Sequence, residues 1–241
     1  MRSERKRVFL FIILFVAAGF IMKILAEVVH ELVGHGTFIV AFGGVIRGIY
    51  ISLLWPYELS GIFYDFPGGV SEIQLALVMS GGIVACLTVS FIVQGLLSIK
   101  RIKHTWVELS LFWLAFWCLV NGSGYLIMGG LGPFGDIWWL IGHGFITPIL
   151  AIIFGTVLFL IGFLLLSRIL RRNLMKVLEE DKAKLGVTVF WSIIPLLVIL
   201  TTLGWGGIRF DYFAISFVPV FVSWIMEHGL KRKSEIRRNT L

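Results

Sequence analysis

Long apolar runs, rather than alternation of apolar and polar positions, dominate the chain: they lie near 8–28, 74–97, 106–128, 147–167, 187–206 and 212–228. Each approaches the roughly 20 residues a helix needs to cross a bilayer, which predicts six transmembrane helices. Three stretches depart from this pattern. Residues 29–42 carry the first helix beyond the length of a span, and Gly43-Gly44 should stop it. Residues 45–66 are rich in β-branched and aromatic positions around a turn at Trp55–Glu58, which predicts a small membrane-associated β-hairpin. Residues 129–145, rich in glycine and containing Pro133 and Asp136, predict a re-entrant, non-helical segment covered by protein or lining a wet cavity. The expected fold is therefore an all-α polytopic membrane protein with one small hairpin. Its expected division is a membrane core at 1–145 and a C-terminal three-span bundle at 146–241, with a cytoplasmic loop at 168–186.

Composition sharpens this reading. Hydrophobic residues make up 58% of the 241 positions, charged residues 15%, and the mean hydropathy is +0.95. These values exclude a soluble enzyme, and 21 Phe with 9 Trp exclude a solvated coil. The net charge of +7 does not point to nucleic acid, because no water-exposed stretch is long enough to carry a basic face. It points to topology instead. Residues 1–7, 98–105, 168–186 and 230–241 hold eighteen of the twenty-one Lys and Arg, all on one side if six spans start from an inside N-terminus. Both termini are thus expected in the cytoplasm of a cell-membrane protein. The first run contains Lys23 and Glu27 and lacks a convincing cleavage site, so it reads as a structural span rather than a signal peptide. Cys86 and Cys118 sit inside apolar runs and read as inert packing residues. The Arg209/Asp211 turn and Glu227 read as interfacial groups, and the tryptophans near span ends as interfacial anchors.

Ionisable groups inside spans are costly, and here they cluster. Lys23, Glu27, His30, Glu31 and His35 lie on the first helix and its extension, and Asp136 and His143 lie between the third and fourth spans. At about 1.5 Å per residue from position 8, His30 would lie roughly 33 Å along the helix, at the outer level where the third-to-fourth link also falls. The central string is His30-Glu31-Leu32-Val33-Gly34-His35. A zincin helix carries HExxH, with two imidazoles on one face and a Glu beside the metal-bound water. Here the histidines are five apart, about 140° on an ideal α-helix, so they meet only if the helix is distorted near Gly34, by a π-bulge or a helix end. Asp136 reads either as a ligand or as a helix N-cap, and His143, seven residues on, as a competing ligand or an interfacial residue. Five histidines are too few for the histidine-rich membrane desaturases, which need about eight.

In the order of these features the chain resembles the site-2 protease family of intramembrane zinc metalloproteases, over about residues 20–145. A helix bearing His30-Glu31 and His35 precedes a strand-rich hairpin. Met79-Ser80-Gly81-Gly82 then opens a span much as that family's Ala-Gly-Pro does, and Asn121 with Pro133-Phe-Gly-Asp136 is similar to its Asn, Pro and Asp-Gly segment. The resemblance implies Zn2+ held by His30, His35 and Asp136, Glu31 as general base, Asn121 near the scissile carbonyl, and a transmembrane protein or peptide as substrate. Two other readings of the same residues are a transporter or ion relay through Lys23, Glu27, Glu31 and Asp136, and a catalytically inactive relative that binds membrane helices.

Overall fold

In the computed structural model, residues 2–53, 59–99, 102, 104–204 and 210–228 are described. The hairpin turn at 55–58, Arg209, the Asp211 side chain and the basic positions 100, 101, 103 and 230–241 lie outside this description. The described chain forms α1 (Arg2–Val28), a π-helix (Val29–His35), α2 (Gly36–Ala41), β1 (Val45–Tyr50), β2 (Gly61–Asp65), α3 (Glu72–Ile99), α4 (Thr105–Leu131), α5 (Gly135–Gly142), α6 (Pro148–Leu174), α7 (Glu180–Trp191), α8 (Ile193–Gly204), α9 (Phe210–Ser216) and α10 (Val218–His228).

Among the described residues five helical stretches are long and apolar enough to cross a membrane: Val8–Ala41, Glu72–Ile99, Thr105–Leu131, Pro148–Leu174 and Glu180–Leu203. Among the described residues the sixth expected span is a shorter apolar helical stretch, Tyr212–Glu227, with a turn at Phe217 between α9 and α10. Pro219, in the first turn of α10, has no N–H with which to continue a preceding helix. The fifth stretch is interrupted at Ser192, where Pro195 in the first turn of α8 acts in the same way. The apolar surface faces outward: Phe9, Val16 and Phe20 on α1 and Ile92 and Ile99 on α3 are more than half exposed, whereas Lys23, Glu27, His30, Glu31 and His35 are buried. This distribution inverts that of a water-soluble protein and suits a lipid solvent.

Two compact units divide the chain. The larger comprises residues 12–53 and 59–166 and contains every candidate site residue; the smaller takes in the start of α1 and the chain from Ser167 on. In the larger unit α1 and α4 run side by side in the same direction. Phe15 lies tilted against Trp113 with centroids 4.8 Å apart, the Trp117 indole N–H donates to the Gly19 carbonyl at 2.8 Å, and the Asn121 amide donates to Glu27 Oε1 at 3.0 Å. Helix α3 runs antiparallel to both, its Ser90 hydroxyl donating to the Ala115 carbonyl at 2.7 Å. The smaller unit is tied by Arg171 to Glu180 at 2.9 Å and to Glu227 at 3.4 Å, and by the Trp191 N–H donating to Ser167 Oγ at 2.9 Å. Glu227 is therefore a buried ion-pair partner rather than an interfacial group.

The helix extension ends as expected. Gly43 takes φ +78°, and the N–H groups of Gly43 and Gly44 return to the carbonyls of Val40 (3.1 Å) and Ile39 (2.8 Å), the pairing of a Schellman cap. The hairpin is present as well. Strands β1 and β2 pair antiparallel from Val45–Asp65 to Tyr50–Gly61, with an irregularity between Ile46 and Gly48. The glycine-rich segment differs from expectation, since it is largely helical rather than irregular. Gly129 and Gly130 continue α4 because they serve packing: a Cβ at Gly129 would lie 2.6 Å from Ile137 Cβ, and one at Gly130 would lie 2.7 Å from Ile152 Cγ1.

The closest backbone approach lies between the π-helix and α3. A Cβ at Gly34 would sit 2.4 Å from Gly82 Cα and 2.6 Å from its nitrogen, whereas one at Gly36 would meet nothing nearer than 3.5 Å. Gly34→Ala should therefore force the two helices apart and lower stability by about 1–3 kcal/mol or more. Gly36→Ala should be neutral or slightly stabilising, as expected for a helical glycine whose added Cβ would meet only ordinary van der Waals contacts. Denaturation midpoints of the two variants in detergent check this contrast.

Candidate functional site

The extra residue between His30 and His35 is absorbed by the helix itself. Val29–His35 is a π-helix, and the Gly36 N–H donates to the Glu31 carbonyl five residues back. A π-helix has about 4.4 residues per turn, so five residues bring the two imidazoles to about 50° of one another instead of 140°. Their ring centroids lie 4.9 Å apart. One donor atom from each of His30, Glu31 and His35 lies within 4.8 Å of the others, and all three side chains are buried. Gly82 allows this placement, because a Cβ there would come within 2.5 Å of His30 Nε2. Met79-Ser80-Gly81-Gly82 thus lies within α3, against the histidine helix, rather than at the opening of a span.

Asp136 comes to the same point from more than a hundred residues downstream. Its Oδ2 lies 3.3 Å from His30 Nε2 and 3.4 Å from His35 Nε2. It stands in the first turn of α5, yet Phe134 is the N-cap and makes no side-chain cap bond, so the carboxylate faces the imidazoles instead of capping the helix. Gly135 makes the turn possible: its φ is +55°, and a Cβ would lie 2.6 Å from Tyr125 Cε1. Burial alone would raise the Asp136 carboxyl, but hydrogen-bonding contact with His30 and His35 holds it below the ordinary carboxylate range. The Asp136 side chain is 21% exposed against 2% and 6% for the two histidines, so the cluster opens on the aspartate side.

Hydrogen bonding decides what these atoms can do. His35 Nδ1 lies 2.7 Å from the Val78 carbonyl and must carry a proton to bond it, which leaves the Nε2 lone pair of a neutral ring directed at the Asp136 carboxylate. Two acceptors face each other at 3.4 Å only with positive charge between them. That charge is either a proton on an imidazole or a metal ion. Donors around a tetrahedral ion at bonds of about 2.05 Å stand about 3.3 Å from each other. The observed 3.3 and 3.4 Å contacts suit either charge, so His30, His35 and Asp136, with Glu31 alongside, could hold a metal ion.

Other expected residues fall elsewhere. Asn121 is buried one turn away, bonded to Glu27, with its Oδ1 unpartnered. His143 bonds the Trp139 carbonyl and stacks on that indole at 3.8 Å. Three contributors were not anticipated from the sequence. Tyr125 packs on the His30 ring with centroids 4.9 Å apart, Val78 supplies a carbonyl to His35, and Cys86 places its sulfur 3.9 Å from His30 Nδ1. Tyr125 follows Asn121 by four residues, and that spacing on one helix face was its only sequence signal. Strand β2 packs against the π-helix, which puts the hairpin beside the cluster, and burial with the Asp136 charge raises the Tyr64 phenol above its ordinary range. No protein-family model, curated protein or solved structure matches the chain.

Gly135→Ala should cost about 1–3 kcal/mol from its backbone conformation, and more as Tyr125 is displaced. Gly144→Ala, at φ +76° but with nothing within 4 Å, should cost only the backbone share of about 1 kcal/mol. Unfolding midpoints of the two variants measure the difference.

Proposed function

We propose that this chain is a zinc-dependent intramembrane endopeptidase that cleaves a peptide bond in or near a transmembrane segment of its substrate. The observation that carries this reading is the convergence of His30 Nε2, His35 Nε2 and Asp136 Oδ2 at tetrahedral-edge spacing with the Glu31 carboxylate beside them. Zinc on such a donor set supplies Lewis acidity, which brings the pKa of water to about 7 and polarises a carbonyl.

The remaining work belongs to the chain's own groups. Glu31 accepts a proton from the attacking water on a carboxylate oxygen and returns it to the leaving amine nitrogen, so one group serves as base and then acid. Tyr125 and Gly82 hold the His30 ring from two sides. Asn121 supports the wall below through Glu27. A peptide bond in a helix is shielded by its own hydrogen bonds, so the substrate must be extended at the site. A free edge of the β1–β2 hairpin beside Tyr64 suits an added strand. With eighteen basic residues assigned to the cytoplasmic face, the cluster lies toward the outer side of the membrane.

The buried Lys23, Glu27 and Asn121 below the histidines favour a second reading, an ion or proton relay without proteolysis. Metal analysis and cleavage separate the two. The peptidase reading expects about one zinc per purified chain, lost in His30→Ala and Asp136→Ala. Glu31→Gln should keep the zinc while cleavage of a reconstituted transmembrane substrate falls by about 100-fold or more. A zinc-free preparation that carries protons across liposomes overturns the peptidase in favour of the relay, and unchanged cleavage by Glu31→Gln removes the general-base assignment.

A further inference from the structure

A histidine that ligates a metal through one ring nitrogen usually donates its other N–H to an oxygen acceptor, which fixes the tautomer and the ring plane. The two histidines here meet this requirement differently, and both partners come from α3. His35 Nδ1 donates to the Val78 carbonyl at 2.7 Å. His30 Nδ1 lies 3.9 Å from the sulfur of Cys86, two helical turns further along the same helix. Between these two positions, Gly81 and Gly82 let α3 approach closely enough for both contacts, since a Cβ at Gly81 would come within 2.6 Å of the Gly34 carbonyl oxygen.

We infer that Cys86 is a positioning residue of the metal centre, its thiol sulfur accepting the Nδ1–H of His30 and so holding Nε2 toward Asp136. The direction of the bond follows from the other side of the ring. His30 Nε2 faces the Asp136 carboxylate at 3.3 Å, so a neutral His30 that presents its Nε2 lone pair carries its proton on Nδ1. The thiol has both functions available: its lone pairs accept from His30, and its S–H points to the Ala26 carbonyl at 3.8 Å, one turn below His30 on α1. The relay therefore runs His30 Nδ1–H to Cys86 sulfur, then Cys86 S–H to the Ala26 carbonyl oxygen. Cys86 is fully buried, which removes water as a competing acceptor and makes a weak sulfur bond count. A thiol is a softer and weaker acceptor than a carbonyl, so the His30 ring is oriented less firmly than that of His35. Cys118, on α4, is in side-chain hydrogen-bonding contact with the Cys86 thiol, but among the described contacts it makes none with His30 itself.

This inference rests on the metal-centre reading above, and its test keeps the two apart. The full-length chain is purified in detergent as wild type, Cys86→Val, Cys86→Ser and Cys118→Ala. Zinc affinity is measured by competition with a chelator, and stability is measured on the metal-free forms. Cys86→Val keeps the volume but removes the acceptor, and should weaken zinc binding by about 10-fold or more without a matching loss of metal-free stability. Cys86→Ser retains a smaller acceptor and should fall between Val and wild type, also serving as the readout if the Val form does not fold. Cys118→Ala should bind zinc like wild type. Wild-type affinity in both Cys86 variants, or an equal loss in Cys118→Ala, overturns the role of Cys86 while leaving the metal centre standing. A wild type that binds no zinc overturns the metal centre and this inference with it.

Discussion

Two histidines five residues apart on a helix share a face only if the additional residue is accommodated, and the rest of the site depends on how. Between His30 and His35 it is taken up as a π-turn, with the Gly36 N–H reaching back to the Glu31 carbonyl. The wider turn changes the rotation per residue, so side chains that an α-helix would point apart fall on one face. The helix then resumes as α2 without a kink-forming proline and ends at the left-handed Gly43. Without that turn His35 would face away from both Asp136 and the Val78 carbonyl.

The turn also requires room. A wider helix needs a neighbour that yields space, and the facing glycines Gly34, Gly81 and Gly82 provide it by letting backbone touch backbone. That contact fixes the height of α3 against the histidine helix, so the Val78 carbonyl falls on His35 and the Cys86 sulfur on His30. Helix α4, running parallel to α1, covers the other side of His30 with Tyr125 and ends where Gly135 can turn the chain back to deliver Asp136. Burying two imidazoles and two carboxylates in an apolar bundle carries a large desolvation cost, which is offset only where charge is neutralised among them.

Several elements were legible from sequence because one physical signal dominated each. The apolar runs marked the long helices, since span length is set by bilayer thickness. The Gly43-Gly44 stop and the paired strands around 45–66 followed from backbone preferences that tertiary contacts did not override. The segment at 129–145 was read as irregular because glycine is a weak helix former, yet at Gly129 and Gly130 it is selected for close helix packing, a cause invisible without the partners Ile137 and Ile152. The apolar stretch near 212–228 carries a turn at Phe217 that composition does not register. Glu227 looked interfacial because its partner Arg171 is 56 positions away in the chain.

For the site, sequence alone determined the candidates: an ionisable group in an apolar run has few structural uses, and that narrowed attention to His30, Glu31, His35 and Asp136 before any geometry was known. It also located the anomaly, five residues where four would share a face. Only the tertiary structure decided that the anomaly is resolved by a π-helix, that Asp136 rather than His143 reaches the imidazoles, and that Asn121 bonds Glu27. The physical reason is that residue type and local spacing set chemistry and helical phase, whereas helix hand-over, close glycine contact and the meeting of residues a hundred positions apart depend on packing between segments.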